Sequence, residues 1–291
     1  MVLNNIQPLI KNMYELLDSG NLLKLERIGE RLVVRPAPQA IWLPEKPKSL
    51  WEKRDAFFKR NPSGGGKWQF RNSSMKEEFK ILFHSYILKI KFTGFGHFGL
   101  FPEHISNFPW IVKQIQQSGK KLNILNLFAY TGLTTLSCAR NDAFVTHLDS
   151  AKGVVDWAKQ NAQASNVPVN NIRWIVDDVT KFIQKEIRRG KTYDAVILDP
   201  PSFGRGPKNE LWKIEEHLSI LLKDLKKLFS TDFKFLVLSG HSSFFTPKLL
   251  ENILRDIFKD KGEYDAFEML IPQKESLKVL PSGSCVRWRD S

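Results

Sequence analysis

The sequence predicts an α/β fold: a mostly parallel, doubly wound sheet preceded by a small β-rich domain. Three observations carry the expectation. Residues 123–149, NILNLFAYTGLTTLSCARNDAFVTHLD, read as an apolar strand, a turn with a single glycine, a helix of small residues and a second strand ending in an acid. That succession is half of a nucleotide-binding α/β unit. Beyond residue 121, strand-length and helix-length apolar patterns alternate, and strands separated by crossover helices demand a mostly parallel sheet. Before Trp110 the pattern differs, with short alternating stretches broken by Pro and Gly. Two domains are expected, residues 1–108 and 109–291.

In the first domain a short helix is expected at 4–17, then two short strands around the Pro-rich turn of ERLVVRPAPQAIWLP (30–44), then a helix at 50–60 carrying Trp51 and Phe57. NPSGGGK (61–67) is a loop by its Gly and Pro content and lacks the spacing of a phosphate-binding Walker loop. In EEFKILFHSYILKIKF, Phe79, Ile81 and Phe83 alternate before a turn at His84 and Ser85, and Leu88, Ile90 and Phe92 alternate after it. Lys80, Lys89 and Lys91 of this hairpin face either a nucleic acid or solvent. Gly94, Gly96 and Gly99 among aromatics mark a tight joint, and Pro109 suits the start of a helix at 110–117.

In the second domain strands are expected at 123–128, 144–148, 172–176, 193–198, 233–238 and 266–271. Helices fit 133–140, 152–163, 179–188, 211–229 and 247–259. In the fourth, Ile214, Leu218, Leu221, Leu222, Leu225 and Leu228 make a helical stripe. The closing GSCVRWRDS is expected to add an edge strand.

A chain of 291 residues with 42% hydrophobic and 12% aromatic residues is globular rather than disordered. Its apolar runs are strand-sized, so no membrane span is expected, and its first residues lack the continuous apolar core of a signal peptide. Two cysteines rule out a disulfide scaffold, and the cytoplasm is the simplest compartment. The excess of 44 Lys and Arg over 31 Asp and Glu, +13 formally, favours attraction to polyanions such as RNA, or serves solubility alone.

The turn FAYTGLTT has Gly132 as its only glycine, where a dinucleotide site wants G-x-G-x-x-G. Thr131, Thr134 and Thr135 offer hydroxyls instead, which suits a ligand with an amino-acid group in place of phosphates. S-adenosylmethionine is such a ligand. Asp149, 17 residues after Gly132 and followed by Ser150, can accept both ribose hydroxyls, or cap the helix that begins near Lys152. Asp178 in IVDDVTKF can accept the adenine amino group. Asp177 is chemically inseparable from it, and one of the two can cap the next helix. Asp199, Pro200, Pro201, Ser202 and Phe203 follow the fourth strand, where ligands of open α/β sheets bind. The two prolines lack N–H groups and leave carbonyls to accept bonds. With an acid and the Phe203 ring, they suit a flat base bearing an amino group. Arg205, Lys208 and Lys213 are candidate phosphate contacts, and His241 can reach the cleft or serve in packing. His147, Trp157 and Trp174 are expected in the core. No metal is expected.

NLFAYTGLTTLSCA, HLDSAKGVVDWAKQNAQAS, IVDDVTKFI and YDAVILDPPSFGRG together resemble the class I S-adenosylmethionine-dependent methyltransferases. The subgroup most alike contains the bacterial ribosomal RNA large-subunit methyltransferases acting on cytosine C5 or guanine N7. The resemblance covers residues 94–291 and implies a Rossmann-like, seven-stranded sheet with S-adenosylmethionine as cofactor. It places Phe128, Tyr130, Thr131 and Gly132 on the methionine side, Asp149 and Ser150 at the ribose, Asp178 at the adenine and Asp199 near the sulfonium. Asn161 is implied to be structural. The preceding β part resembles the subgroup's small domain, without a match to a PUA module. In FGLFPEHISN, Glu103 and His104 replace an acid–Gln pair that closes over the cofactor.

Methylation of cytosine C5 needs a thiolate to add at C6, supplied in such relatives after strand five or from the Pro-Pro loop. Here Ser202 and LVLSGHSS stand in those places, while Cys138 lies on the first helix and Cys285 in the last strand. The expected activity is therefore N-methylation of an RNA base, ribosomal RNA favoured, with Asp199, Pro200, Pro201 and Phe203 at the reacting group. A methyltransferase for a small molecule or protein fits the same fold. A cofactor fold kept only for interaction is disfavoured by the intact Asp149, Asp178 and Asp199. The oligomeric state is not legible.

Overall fold

The computed structural model describes residues 14–61, 65–205 and 211–290, without the side chain of Arg205. The chain groups into two compact units: residues up to Pro102 with Leu270–Pro281, and Glu103–Met269 with the residues from Ser282 on.

The first unit is built on a five-stranded sheet of β1 (Tyr14–Gly20), β2 (Leu23–Ile28), β3 (Arg31–Pro36), β4 (Ala56–Arg60) and β5 (Gly66–Phe70), in that spatial order. All neighbours are antiparallel except β3 and β4. A short helix, α1 (Lys48–Glu52), precedes β4. The hairpin of β6 (Phe79–Phe83) and β7 (Tyr86–Ile90) follows, with His84 in a left-handed conformation at its turn, as the alternation indicates.

Three expectations fail in this unit. The helix expected at 4–17 lies outside the described residues up to residue 13, and Tyr14–Gly20 is a strand. Only one strand forms in 30–44, because the backbone after Pro36 folds back on the β1–β2 turn. There Ala37 N donates to Leu22 O, and Leu22 N to Ala40 O. The helix expected at 50–60 ends at Glu52, and Ala56–Arg60 pairs with β3 and β5. Of the lysines considered for nucleic acid, Lys89 and Lys91 both pair with Glu78.

Among the buried charged residues of this unit is Glu26. Its carboxylate accepts two bonds from Arg35, both at 2.7 Å, and one from Tyr14 Oη at 2.9 Å. Burial resists its ionisation, but Arg35 and Lys24 outweigh burial and lower its pKa to about 2.

The second unit carries a seven-stranded sheet of order β10-β9-β8-β11-β14-β16-β15. Its strands are β8 (Asn123–Leu127), β9 (Phe144–Asp149), β10 (Ile172–Val176), β11 (Ala195–Leu198), β14 (Phe235–Gly240), β15 (Glu263–Pro272) and β16 (Val279–Arg289). The first five run parallel, and β16 is antiparallel to β14. Helices α2 (Phe108–Gln117), α3 (Leu133–Arg140), α4 (Lys152–Ala164), α5 (Val179–Arg188), α6 (Ile214–Lys226) and α7 (Pro247–Phe258) join and cover them. Parallel strands covered on both faces read as unbroken apolar runs, and all four residues of β11 are buried. The mostly parallel, seven-stranded Rossmann-like fold after a smaller β-rich part is therefore as expected.

Two details differ. The closing strand β16 lies inside the sheet and β15 forms the edge. Leu211 does not open a helix: β13 (Leu211–Lys213) pairs with β12 (Phe203–Arg205), and α6 begins at Ile214.

Glu26 gives the fold a defined acid sensitivity. A carboxyl with a depressed folded-state pKa adds stability that is complete above its unfolded value of 4.5 and is lost as pH falls toward about 2. Glu26→Gln leaves Arg35 without its anion and is expected to cost about 3–5 kcal/mol at neutral pH. The variant should also flatten the stability loss between pH 4.5 and 2, read by urea unfolding. Wild-type stability at pH 7, or an unchanged acid profile, contradicts this.

Candidate functional site

In the spatial order β9-β8-β11, the chain runs outward from β8 and then returns to its other side, which makes a topological switch point between β8 and β11. Crevices in open α/β sheets form there, beyond the carboxyl ends of the strands. The turn after β8 is backbone-strained: Phe128, Tyr130 and Gly132 have φ of 54°, 48° and 88°. Such left-handed residues persist only where the surroundings dictate them. Asp149, at the end of β9, is one reason. Its Oδ2 accepts Tyr130 N–H at 3.0 Å and its Oδ1 accepts Ala151 N–H at 3.0 Å. Asn161 is another, its buried amide donating to Thr131 O at 3.0 Å, a structural role as expected.

Burial pushes the Asp149 carboxyl up, against three backbone N–H bonds from Ala151, Tyr130 and Ser150. The cap position of α4 is Ala151, so Asp149 is not that helix's N-cap. Thr135 does not offer its hydroxyl to a ligand. It is fully buried between Asn126 Nδ2 at 2.8 Å and His147 Nδ1 at 2.9 Å. His147 is a core residue, lowered to about 3 by burial and so neutral.

A cleft with about 410 Å³ of empty space opens here, lined by Phe128, Leu148, Asp149, Ser150, Asp177, Asp178, Val179, Pro201, Gly204 and Trp212. Its described lining holds three carboxylates, of which Asp177 is paired with Lys185 Nζ at 2.6 Å. Such a wall repels a diphosphate and suits a nucleoside with a cationic centre and apolar faces, so the residues present fit S-adenosylmethionine.

The two acids left inseparable by sequence are now distinguished. Asp178 Oδ1 caps α5 by accepting Lys181 N–H at 2.9 Å, while Asp177 accepts Asp178 N–H at 3.0 Å and Lys185 Nζ at 2.6 Å. Trp212 is a residue the sequence reading missed, having placed it in a helix. Its Nε1 donates to Pro201 O at 2.7 Å and its ring lies 5.1 Å from that of Phe128.

Asp199, at the end of β11, is the centre of a second cluster. Its Oδ2 lies 3.1 Å from His104 Nε2, while its Oδ1 accepts Ser239 Oγ at 2.7 Å and lies 3.4 Å from His241 Nε2. His241 Nδ1 lies 3.8 Å from Glu103 Oε1. Burial opposes charge on both partners, but their mutual attraction prevails. Asp199 is held well below the usual carboxylate range by His104 and His241. His241 is pushed up to about 9 by Asp199, Glu103 and the Ser282 backbone.

With both oxygens engaged, Asp199 is not an idle acceptor, and Pro201 O is taken by Trp212. Pro200 O has no partner among the described residues. Phe203 stands exposed on β12, and Ser202 Oγ meets Ser242 Oγ at 2.7 Å. Of the expected phosphate contacts, Lys213 is bound to Glu216 at 2.7 Å. Lys208 and the Arg205 side chain lie outside the described residues. Both cysteines are fully buried, and burial pushes each thiol up to about 12.

Residues 60–254 match the family model described as S-adenosylmethionine-dependent methyltransferase. A solved S-adenosylmethionine-dependent methyltransferase from Agrobacterium tumefaciens is 35% identical with a TM-score of 0.90, over 96% of this chain and 91% of that one. The ribosomal RNA large subunit methyltransferase K/L of Pseudoalteromonas atlantica is 31% identical over 168 residues, 56% of this chain but 23% of that protein. The ribosomal RNA large subunit methyltransferase K of Neisseria meningitidis is 23% identical over 83% of this chain and 67% of that protein. The chain thus spans about a quarter of the K/L relative's length and about two thirds of the K relative's. The carboxylate-lined cleft at the switch point and the family match across it agree: the chain belongs to the S-adenosylmethionine-dependent methyltransferases.

Proposed function

We propose that the protein transfers the methyl group of S-adenosylmethionine to a ring or amino nitrogen of a base in RNA, ribosomal RNA being the favoured substrate. The observation that carries this reading is the cleft lined by Asp149, Asp177 and Asp178 that opens beside Pro201. Bound there, S-adenosylmethionine supplies an electrophilic methyl on its sulfonium. Asp149 would hold the ribose hydroxyls, Asp178 would turn its second oxygen to the adenine amino group with Val179 against the ring face, and Phe128 would stand on the methionine side. The Pro200 carbonyl accepts an N–H of the target base while the exposed Phe203 ring stacks on it. Asp199, clamped by its histidines, fixes where that carbonyl points. Nitrogen is favoured because it already has a lone pair and needs alignment above all. Carbon C5 needs a thiolate, and both thiols here are buried with pKa near 12. RNA as the acceptor rests on the +13 charge and on the names of the K and K/L relatives.

Transfer of labelled methyl groups to RNA from cells lacking the protein, followed by nucleoside analysis, should yield one N-methylated nucleoside. Label appearing only in protein or small molecules contradicts the reading. Asp149→Ala should remove measurable S-adenosylmethionine binding in calorimetry with unfolding cooperativity retained, and unchanged affinity would sink the site assignment. Cys138→Ser and Cys285→Ser should each keep methyl transfer, whereas loss in a folded variant would restore a thiolate mechanism.

A further inference from the structure

We propose that His104, Asp199 and His241 form a binding site for a divalent first-row transition-metal ion of the zinc type. One ligand atom from each lies within 4.8 Å of the others. The N···O separations are 3.1 Å from His104 Nε2 and 3.4 Å from His241 Nε2. They run to different oxygens of the one carboxylate, Oδ2 and Oδ1, and each is near the ~3.3 Å that adjacent ligands keep around a tetrahedral ion with bonds of about 2.0–2.1 Å. The donors are aimed from behind. Ser239 Oγ holds Asp199 Oδ1 at 2.7 Å, and the His241 imidazole is bonded to the Ser282 backbone with Nδ1 3.8 Å from Glu103 Oε1. Partners of this kind fix the orientation of metal-binding imidazoles and carboxylates.

Access is open. The side chains of His104, Asp199 and His241 are 14%, 26% and 33% exposed, which leaves an ion a path and a coordination position free for water or another ligand. Glu103, buried beside His241, contributes a second negative charge that helps balance a divalent cation. A Gln amide donates to Asp199 as well as an imidazole does, but only the imidazole has a nitrogen lone pair for a borderline cation. Two nitrogens and one oxygen with open positions suit zinc, cobalt or nickel better than magnesium or calcium. As the ion enters, the Nε2 protons that face Asp199 leave to solvent.

The test is titration of Zn²⁺ alone into the chelator-treated full chain by calorimetry, and of Co²⁺ by visible absorption. Wild type, His104→Gln and His241→Gln are compared, with circular dichroism on each. One equivalent of zinc, ligand-field bands with cobalt, and an affinity loss of at least about tenfold in each variant are expected. His104→Gln keeps a donor toward Asp199, so a purely hydrogen-bonded cluster predicts no change in metal affinity there. Absence of stoichiometric binding by wild type, or undiminished zinc affinity in folded His104→Gln, overturns the site. S-adenosylmethionine binding in the same samples reports on the cofactor cleft separately.

Discussion

A carboxylate withdrawn from water at the end of the central strand must find donors, and Asp199 finds them in two separate stretches of chain. His104 comes from the turn at Pro102–Asn107, and Ser239 and His241 from the end of β14. Removing one partner of such a partly buried charge leaves the other without compensation. The cluster therefore fixes where β11 ends and the Pro-Pro segment begins. Trp212 extends that fixation by bonding Pro201 O and packing on Phe128, which joins the Asp199 side of the site to the turn after β8.

The cofactor side obeys a related constraint. A Rossmann-like sheet offers its crevice at the point where strand order reverses, and the residues there decide what the crevice accepts. Here the turn after β8, with three left-handed residues, is held at Tyr130 by Asp149 and at Thr131 by Asn161. With three carboxylates along the cleft, the same sheet that elsewhere holds a dinucleotide is biased toward a cationic nucleoside. Sharing a fold with nucleotide-binding proteins thus says little, and the sign of charge along the cleft says much.

The parallel core was legible because its strands are buried on both faces and its helices carry apolar stripes, both local properties of sequence. Asp149, Asp178 and the Asp199 segment were placed by their position after strands. What stayed hidden depended on partners far away in the chain. The strand Ala56–Arg60 exists because β3 and β5 flank it, overriding the helical reading of 50–60. The interior position of β16 follows from its pairing with β14. Asp199 and His104 are 95 residues apart, and no spacing rule connects them. One misreading was local and avoidable: Thr135 faces Asn126 and His147 in the core.

The central claim is that the acidic crevice at the switch point holds S-adenosylmethionine with its sulfonium turned to the Pro-Pro segment. A crystal structure of the protein with S-adenosylmethionine tests it most directly. Expected are ribose hydroxyls on the Asp149 carboxylate, the adenine against Val179 with its amino group at Asp178, Phe128 on the methionine side, and the methyl group facing Pro200 and Phe203. Cofactor bound outside this crevice, or within it with the ribose away from Asp149, contradicts the account.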